Sequence, residues 1–216
     1  WASEYHIDGF RFDLMGVLDI ETLNEARKAL LKINPDIIMY GEGWTGGEST
    51  LPESERGMKI NAPRTPGIGM FSDDIRDAVK GHVFYMDELG FVNGAADRGE
   101  ELKQAVTCAK WAKSPMQSIN YLSCHDNYTL WDRFIISNSH ESEEMRIRMN
   151  KLAAAILFTA QGIPFFLHGE EFARTKISEA DGAPVENSYC SPLSVNAIDY
   201  DRAEQFSDLK AYYKGL

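Results

Sequence analysis

Three acidic residues each follow a short apolar run of the sequence, where a strand would deliver a side chain able to do chemistry. Asp13 ends the segment DGFRFD, Glu42 follows residues 37–41, and Asp126 follows shortly after residues 119–122. The carboxyl ends of strands are where α/β proteins keep their catalytic groups. We therefore expect the three carboxylates to lie on a single rim.

Arg11 stands two residues before Asp13, so strand alternation places both side chains on one face and Phe10 and Phe12 on the other. A charge on an inward strand face is costly to bury unless it is paired or used. A purely structural ion pair between Arg11 and Asp13 is one interpretation. The two further acidic strand ends favour the other, in which the pair belongs to a catalytic rim.

The other candidates also have structural interpretations. Glu42 would then cap the loop that follows it, Asp126 would be the N-cap of a helix, and His125 would be a buried, hydrogen-bonded histidine. Aromatic side chains near the same positions offer faces on which a ligand can stack; they are Tyr40, Trp44, Tyr128 and Trp131. For Trp131, packing in the core is an equally good interpretation.

Apolar strand candidates alternate with helical patterns along the chain. Strands are predicted to begin near residues 7, 37, 68, 118 and 163, with helices over 19–32, 73–80, 100–112, 128–137, 142–159 and 208–213. This alternation is typical of βα units and predicts an α/β fold with a parallel sheet. The Gly- and Pro-rich segment 45–66 is predicted to be a long loop overhanging the rim.

Composition excludes several classes of partner. The 216 residues suffice for a sizeable core, and 44% of them are hydrophobic, which is ordinary for a globular protein. The net charge of −11 argues against nucleic acid and anionic membranes as partners. No apolar run approaches the roughly 18 residues that a membrane span needs.

The cysteines and histidines indicate neither a metal nor a cofactor. Cys108, Cys124 and Cys190 are an odd number without metal-ligand spacing, and thiols favour a reducing, cytoplasmic compartment over secretion. His6, His82 and His140 likewise show no ligand spacing, so we predict no metal site.

The segments DGFRFDLMG, YGEGW and SCHDN, in this order and spacing, resemble three sequence blocks of the α-amylase superfamily, glycoside hydrolase family 13. The residues of these segments are most similar to those of type I pullulanases. The segments GIPFFLHGEEF at 162–172 and ENSY at 186–189 extend the resemblance nearly to the C-terminus. Within them, Glu170 and Glu171 would line the rim or cap a loop.

The resemblance implies a partial TIM barrel. Residues 1–216 would be a partial catalytic (β/α)₈-barrel domain that supplies strands four to eight with their helices. Strands one to three would lie upstream of Trp1, and accessory β-domains would belong to the full-length protein. We therefore expect the isolated chain to show little or no turnover. Some relatives carry structural calcium, but no ligand pattern for it can be assigned in this sequence.

The resemblance also implies roles for the rim residues. Asp13 would be the nucleophile that forms a covalent glycosyl intermediate, and Glu42 the general acid and then the base. Asp126 would hold sugar hydroxyls, with His125 and Arg11 supporting substrate and nucleophile. Trp44 would offer a sugar-binding face.

The implied activity is that of a retaining hydrolase that cleaves α-1,6-glucosidic linkages in pullulan and branched α-glucans. Two alternatives stay open on the sequence. One is an α-1,4-acting amylase or isoamylase-like debranching enzyme, because linkage choice depends on the shape of the whole pocket. The other is an inert barrel fragment that only binds α-glucan.

Overall fold

The strands lie in the sheet in the same order as in the chain. The computed structural model describes all 216 residues. The strands are β1 (Gly9–Phe12), β2 (Ile38–Gly41), β3 (Gly69–Ser72), β4 (Ser118–Asn120) and β5 (Ile163–Pro164), in the order β1-β2-β3-β4-β5. β2 pairs in parallel with both β1 and β3. Parallel strands in sequential order confirm the predicted α/β class and are what a segment of a (β/α)₈ barrel requires.

α-Helices occupy three of the four connections between strands, and three more helices follow β5. They are α1 (Ile20–Leu30), α2 (Asp73–Lys80), α3 (Gly99–Val106), α4 (Leu130–Ser137), α5 (Glu143–Thr159), α6 (Leu193–Asn196), α7 (Asp201–Gln205) and α8 (Ser207–Gly215). Side chains cap three of them at the N-terminus, since Asp19, Thr129 and Ser142 accept hydrogen bonds from backbone amides of the first turns of α1, α4 and α5. None of the helices is long and apolar enough to cross a membrane.

The chain divides into two compact units. The first contains Trp1–Ser72, Cys108–Ile119 and Gln161–Ile163, and the second Asp73–Thr107, Asn120–Ala160 and Pro164–Leu216. The first unit has one apolar core, formed by Met15, Leu23, Met39, Ala62, Ile68 and Met70. In the second unit, one cluster joins α2, α4 and α5, and another joins Trp131 and Ala154 to α8.

Three predictions about these elements were wrong. Helix α3 ends at Val106 and not at residue 112, because Cys108 adopts a φ of 93°, which no helix can contain. Segment 45–66 contains the 3₁₀ helices Glu53–Glu55 and Lys59–Arg64, so it is not loop throughout. The consecutive apolar residues 37–40 predict a strand buried on both faces, but in β2 Ile38 is 55% exposed.

Helical spacing in the sequence predicts that α5 buries the stripe Met145, Met149, Leu152, Ala153 and Ile156, and the structure buries a different face. Leu152 is 44% exposed. The buried residues are Met149, Asn150, Ala153, Ala154 and Leu157. The buried face is shifted because it includes Asn150. The Asn150 Oδ1 atom accepts a hydrogen bond from the Tyr213 hydroxyl at 2.7 Å.

Candidate active site

Asp13 lies directly after β1, where the chain turns away from the sheet. Leu14 has the left-handed φ of 43°, and a 3₁₀ turn at Met15–Val17 follows. The Asp13 side chain is 67% exposed. A carboxylate in this position is open to a molecule arriving from solvent.

Glu42 occupies the corresponding position after β2. In the register of the two strands Phe12 is opposite Gly41, and the Glu42 amide continues the ladder by donating to Phe12 O at 3.0 Å. Unlike Asp13, the Glu42 side chain is only 6% exposed. Its Oε2 accepts the backbone N–H of Leu14 at 2.8 Å, so it caps the turn after β1 and not the loop that follows it.

Arg11 joins these two carboxylates. Its Nη1 donates to Asp13 Oδ1 at 2.9 Å, and its Nη2 donates to Glu42 Oε1 at 2.5 Å. Its guanidinium carbon also lies 5.8 Å from the centre of the Phe71 ring on β3. Charge-assisted hydrogen bonds are about twice as strong as neutral ones, and a planar fork fixes direction. One guanidinium thus sets the positions of both carboxyl groups.

Gly41 permits this close arrangement of strand ends. A Cβ atom on Gly41 would lie 2.5 Å from Phe12 O and 2.9 Å from Phe12 Cβ. Contacts this short require the backbone of β1 or β2 to move. The residue before Glu42 therefore has to be a glycine if Glu42 is to approach Arg11.

The aromatic candidates have different surroundings. Trp44 is half-buried, and Lys59 Nζ lies 6.0 Å from the centre of its ring. Tyr40 packs edge-on against Phe71, with ring centres 5.7 Å apart. Trp131 is 5% exposed and packs against Phe206 at 5.1 Å. Trp131 is therefore a core residue and offers no face to a ligand.

His125 and Asp126 lie in the second unit, in the segment between β4 and α4. His125 Nε2 is 3.5 Å from Asp126 Oδ2, and the two side chains are 56% and 46% exposed. His125 is therefore not a buried histidine. The N-cap of α4 is Thr129, which accepts the amide of Asp132, so Asp126 does not have that structural role.

Glu170 forms a buried polar cluster that the sequence analysis missed. It accepts a short hydrogen bond from Ser123 Oγ and lies 3.4 Å from the Tyr213 hydroxyl. Burial raises the pKa of Glu170 to about 7. Burial also lowers to about 7 the pKa of Lys80, whose charge interacts with that of Glu170. Glu170 therefore does not line a rim, whereas Glu171 caps its loop by accepting the Gly169 amide at 2.9 Å.

Lys176 is a buried residue that the sequence analysis missed. Its ammonium donates to the carbonyl oxygens of His125 and Asn127, on both sides of Asp126. Lys176 belongs to no apolar run or ligand-like spacing, so only a three-dimensional structure could have found it. No group of three or more His, Cys, Asp or Glu side chains is arranged to hold a metal ion, and we assign no metal ligands.

Comparisons with known proteins extend the resemblance to the whole chain. No protein-family profile matches it. A pullulanase of Bacillus subtilis (strain 168) is 40% identical over 223 aligned residues, which cover 100% of this chain and 30% of the relative.

Solved structures give the same result. A pullulanase of Paenibacillus barengoltzii, in complex with maltohexaose and α-cyclodextrin, matches with a TM-score of 0.91 and 46% identity over 100% of this chain. A pullulanase of Anoxybacillus sp. LM18-11, in complex with maltotetraose, matches with a TM-score of 0.92 and 44% identity over 99% of this chain. This chain spans 33% and 31% of those proteins.

Identities of 40% and 46% over the whole of this chain show that it is part of a glycoside hydrolase of the α-amylase superfamily. Within that superfamily, the chain belongs to the pullulanase family. It spans about a third of the length of the relatives that it matches.

Proposed function

We propose that the protein carrying this chain is a retaining α-glucan debranching hydrolase that cleaves α-1,6-glucosidic linkages. Its substrates would be pullulan and branched α-glucans. The relatives named above are pullulanases, and two of their structures contain maltooligosaccharides. The observation that carries the proposal is the Arg11 guanidinium, which donates to both Asp13 and Glu42 at the ends of adjacent strands.

In the first step, Asp13 is the nucleophile. One of its carboxylate oxygens attacks the anomeric carbon, and the bond from that carbon to the glycosidic oxygen breaks. Glu42 gives a proton to the departing oxygen, which leaves as the 6-hydroxyl of the other glucan chain. The exposure of Asp13 supports this role, because the nucleophile has to reach the sugar carbon.

In the second step, Glu42 acts as the base. It takes a proton from water, the water oxygen bonds to the anomeric carbon, and Asp13 leaves as a carboxylate. The Arg11 guanidinium and the Leu14 amide hold the Glu42 carboxyl group in place for this role. Two displacements at one carbon restore its original configuration.

Three further residues would bind the glucan. Asp126 and His125 present exposed polar side chains suited to sugar hydroxyls. Trp44 presents a half-buried indole on which the C–H face of a sugar can stack. Their assignment depends on the SCHDN and YGEGW motifs and on the exposure of these side chains.

Product analysis tests the proposal. The assay uses a protein of the relatives' full length that carries this chain, with pullulan and amylose offered at equal concentrations. We expect maltotriose from pullulan, with little cleavage of amylose. Asp13→Asn and Glu42→Gln should each lower kcat by at least about 10³-fold, because each removes a group that acts at the reacting bond.

The controls are Asp208→Asn and Glu204→Gln, which make the same chemical changes at exposed positions of α7 and α8. They should leave turnover unchanged. Preferential cleavage of amylose would overturn the linkage assignment. Full activity of Asp13→Asn would overturn the assignment of the nucleophile.

A further inference from the structure

Lys176 is a buried charged residue that the proposed mechanism does not use, and its ammonium group is bound by backbone carbonyls. The residue is 2% exposed. Its Nζ donates to three backbone carbonyl oxygens, those of Asn127 at 2.7 Å, His125 at 3.3 Å and Glu186 at 3.3 Å. An ammonium group has three donors and no acceptor, so every donor of Lys176 has a carbonyl partner.

Asp132 fixes the backbone from which this ammonium extends. One Asp132 oxygen accepts the Lys176 amide at 2.9 Å, and the other accepts the Thr175 hydroxyl. Asp132 is itself fully buried in the first turn of α4. Burial lowers the pKa of the Lys176 ammonium group, and the charge of Asp132 opposes that lowering. Lys176 is therefore held at its backbone as well as at its ammonium group.

Two of the three carbonyls that Lys176 contacts belong to the turn that carries His125 and Asp126. They are the carbonyls of the residues immediately before and after Asp126. Asn127 has a left-handed φ of 58°, and its side-chain amide reaches Glu186 Oε1 at 3.4 Å. The turn is thus held from the inside by its backbone, while the side chains of His125 and Asp126 are exposed.

We propose that Lys176 is a positioning residue whose ammonium fixes the 125–127 turn against the backbone of Glu186. It would thereby set the direction in which His125 and Asp126 present their side chains to a glucan. A lysine suits this role because its charge strengthens each bond to a carbonyl dipole. The inference rests on the proposed function for its effect on turnover, but the fixing of the turn can be measured independently.

Amide hydrogen exchange of the 216-residue chain tests the fixing of the turn. Lys176→Met keeps much of the apolar stem and removes all three donors. We expect exchange in peptides covering residues 123–130 to accelerate at least about tenfold, with exchange in α5 unchanged. Lys103→Met, at an exposed lysine of α3, should change neither region. Unchanged exchange at 123–130 in Lys176→Met would overturn the proposal, and so would equal acceleration throughout the second unit.

Lys176→Gln is the milder variant if Lys176→Met fails to fold. It keeps an amide donor but is shorter and uncharged, so exchange at 123–130 should again accelerate before that of α5. Wild-type exchange at the turn in a folded Lys176→Gln chain would overturn the proposal.

Kinetics on pullulan, with a protein of the relatives' full length that carries this chain, test the effect on the site. For Lys176→Met we expect kcat/KM to fall by about 10²-fold, the effect of a misplaced binding group. The assay temperature stays well below the unfolding midpoint of the variant, so that lost stability alone leaves kcat/KM unchanged. Unchanged kcat/KM would overturn the positioning role. An inactive wild type would instead overturn the proposed function, and the exchange experiment would still decide the role of Lys176 in the turn.

Discussion

Arg11 Nη2 donates to Glu42 Oε1 at 2.5 Å and so joins the ends of two adjacent parallel strands. The same guanidinium holds Asp13, which means that neither carboxyl group is positioned by its own strand alone. Asp13 is exposed and Glu42 is buried, although they occupy equivalent positions in the register. One cation therefore joins two carboxylates that lie in different environments.

The first prediction concerns the shape of this cation. Arg11→Lys keeps the charge but replaces a planar fork by a point charge, which cannot bond both carboxylates in the same geometry. We expect kcat/KM on pullulan to fall by about 10²-fold in a protein of the relatives' full length. Arg148→Lys is the control, because Arg148 is exposed and pairs with Glu144 across one helical turn. Equal activity of Arg11→Lys and wild type would show that the fork is dispensable.

The second prediction concerns the distance between β1 and β2. Gly41→Ala places a Cβ atom 2.5 Å from Phe12 O, so we expect the free energy of unfolding to fall by about 1–3 kcal/mol. Gly47→Ala is the matched control, because no heavy atom lies within 4 Å of its added Cβ. Urea unfolding of the 216-residue chain measures both. A Gly41→Ala chain as stable as Gly47→Ala would contradict the close approach of the strands.

The third prediction follows from the raised pKa of Glu170. Between its ordinary value of 4.5 and about 7, the unfolded chain loses the proton while the folded chain keeps it. The contribution of Glu170 to stability is therefore present below pH 4.5 and is lost as the pH rises to about 7. We expect Glu170→Gln, measured by urea unfolding across this range, to remove that decline. Glu100→Gln, at an exposed position, should retain it.

The fourth prediction has the opposite sign. The pKa of Lys80 is lowered by burial from 10.5 to about 7, so between these values the folded chain has lost a proton that the unfolded chain keeps. Stability should rise with pH across this window, and Lys80→Met should remove the rise. Lys103→Met serves as the exposed control. The charge of Glu170 raises the pKa of Lys80, so in Glu170→Gln the rise should begin at a lower pH.

The strands and the first carboxylate pair were predictable from local sequence. Apolar runs before Asp13 and Glu42 predicted where β1 and β2 end, and alternation in DGFRFD predicted that Arg11 and Asp13 share a face. Both signals are local, because a strand has a period of two residues and an apolar run has a visible end. The bond between Arg11 and Glu42 depends on strand register, which no local pattern specifies.

The buried polar residues were not predictable in this way. Ser123 and Glu170 meet across 47 residues of sequence, and Lys176 meets the carbonyl of His125 across 51. Asn150 shifted the buried face of α5 because its partner, Tyr213, lies 63 residues further along the chain. From the sequence alone, a charged or amide residue is expected to be exposed to solvent. It can be buried if it has a hydrogen-bond partner, and here the partners come close only when the chain folds.

The most direct test of the account is to trap the covalent intermediate. A protein of the relatives' full length that carries this chain is incubated with a fluorinated maltosyl fluoride, whose fluorine substituent slows the second step more than the first. Proteolysis and mass spectrometry then locate the sugar. The account predicts one maltosyl adduct on Asp13, as a retaining mechanism requires, and its absence from Asp13→Asn. An adduct on another residue, or an active enzyme that inverts the anomeric centre without forming an adduct, would contradict it.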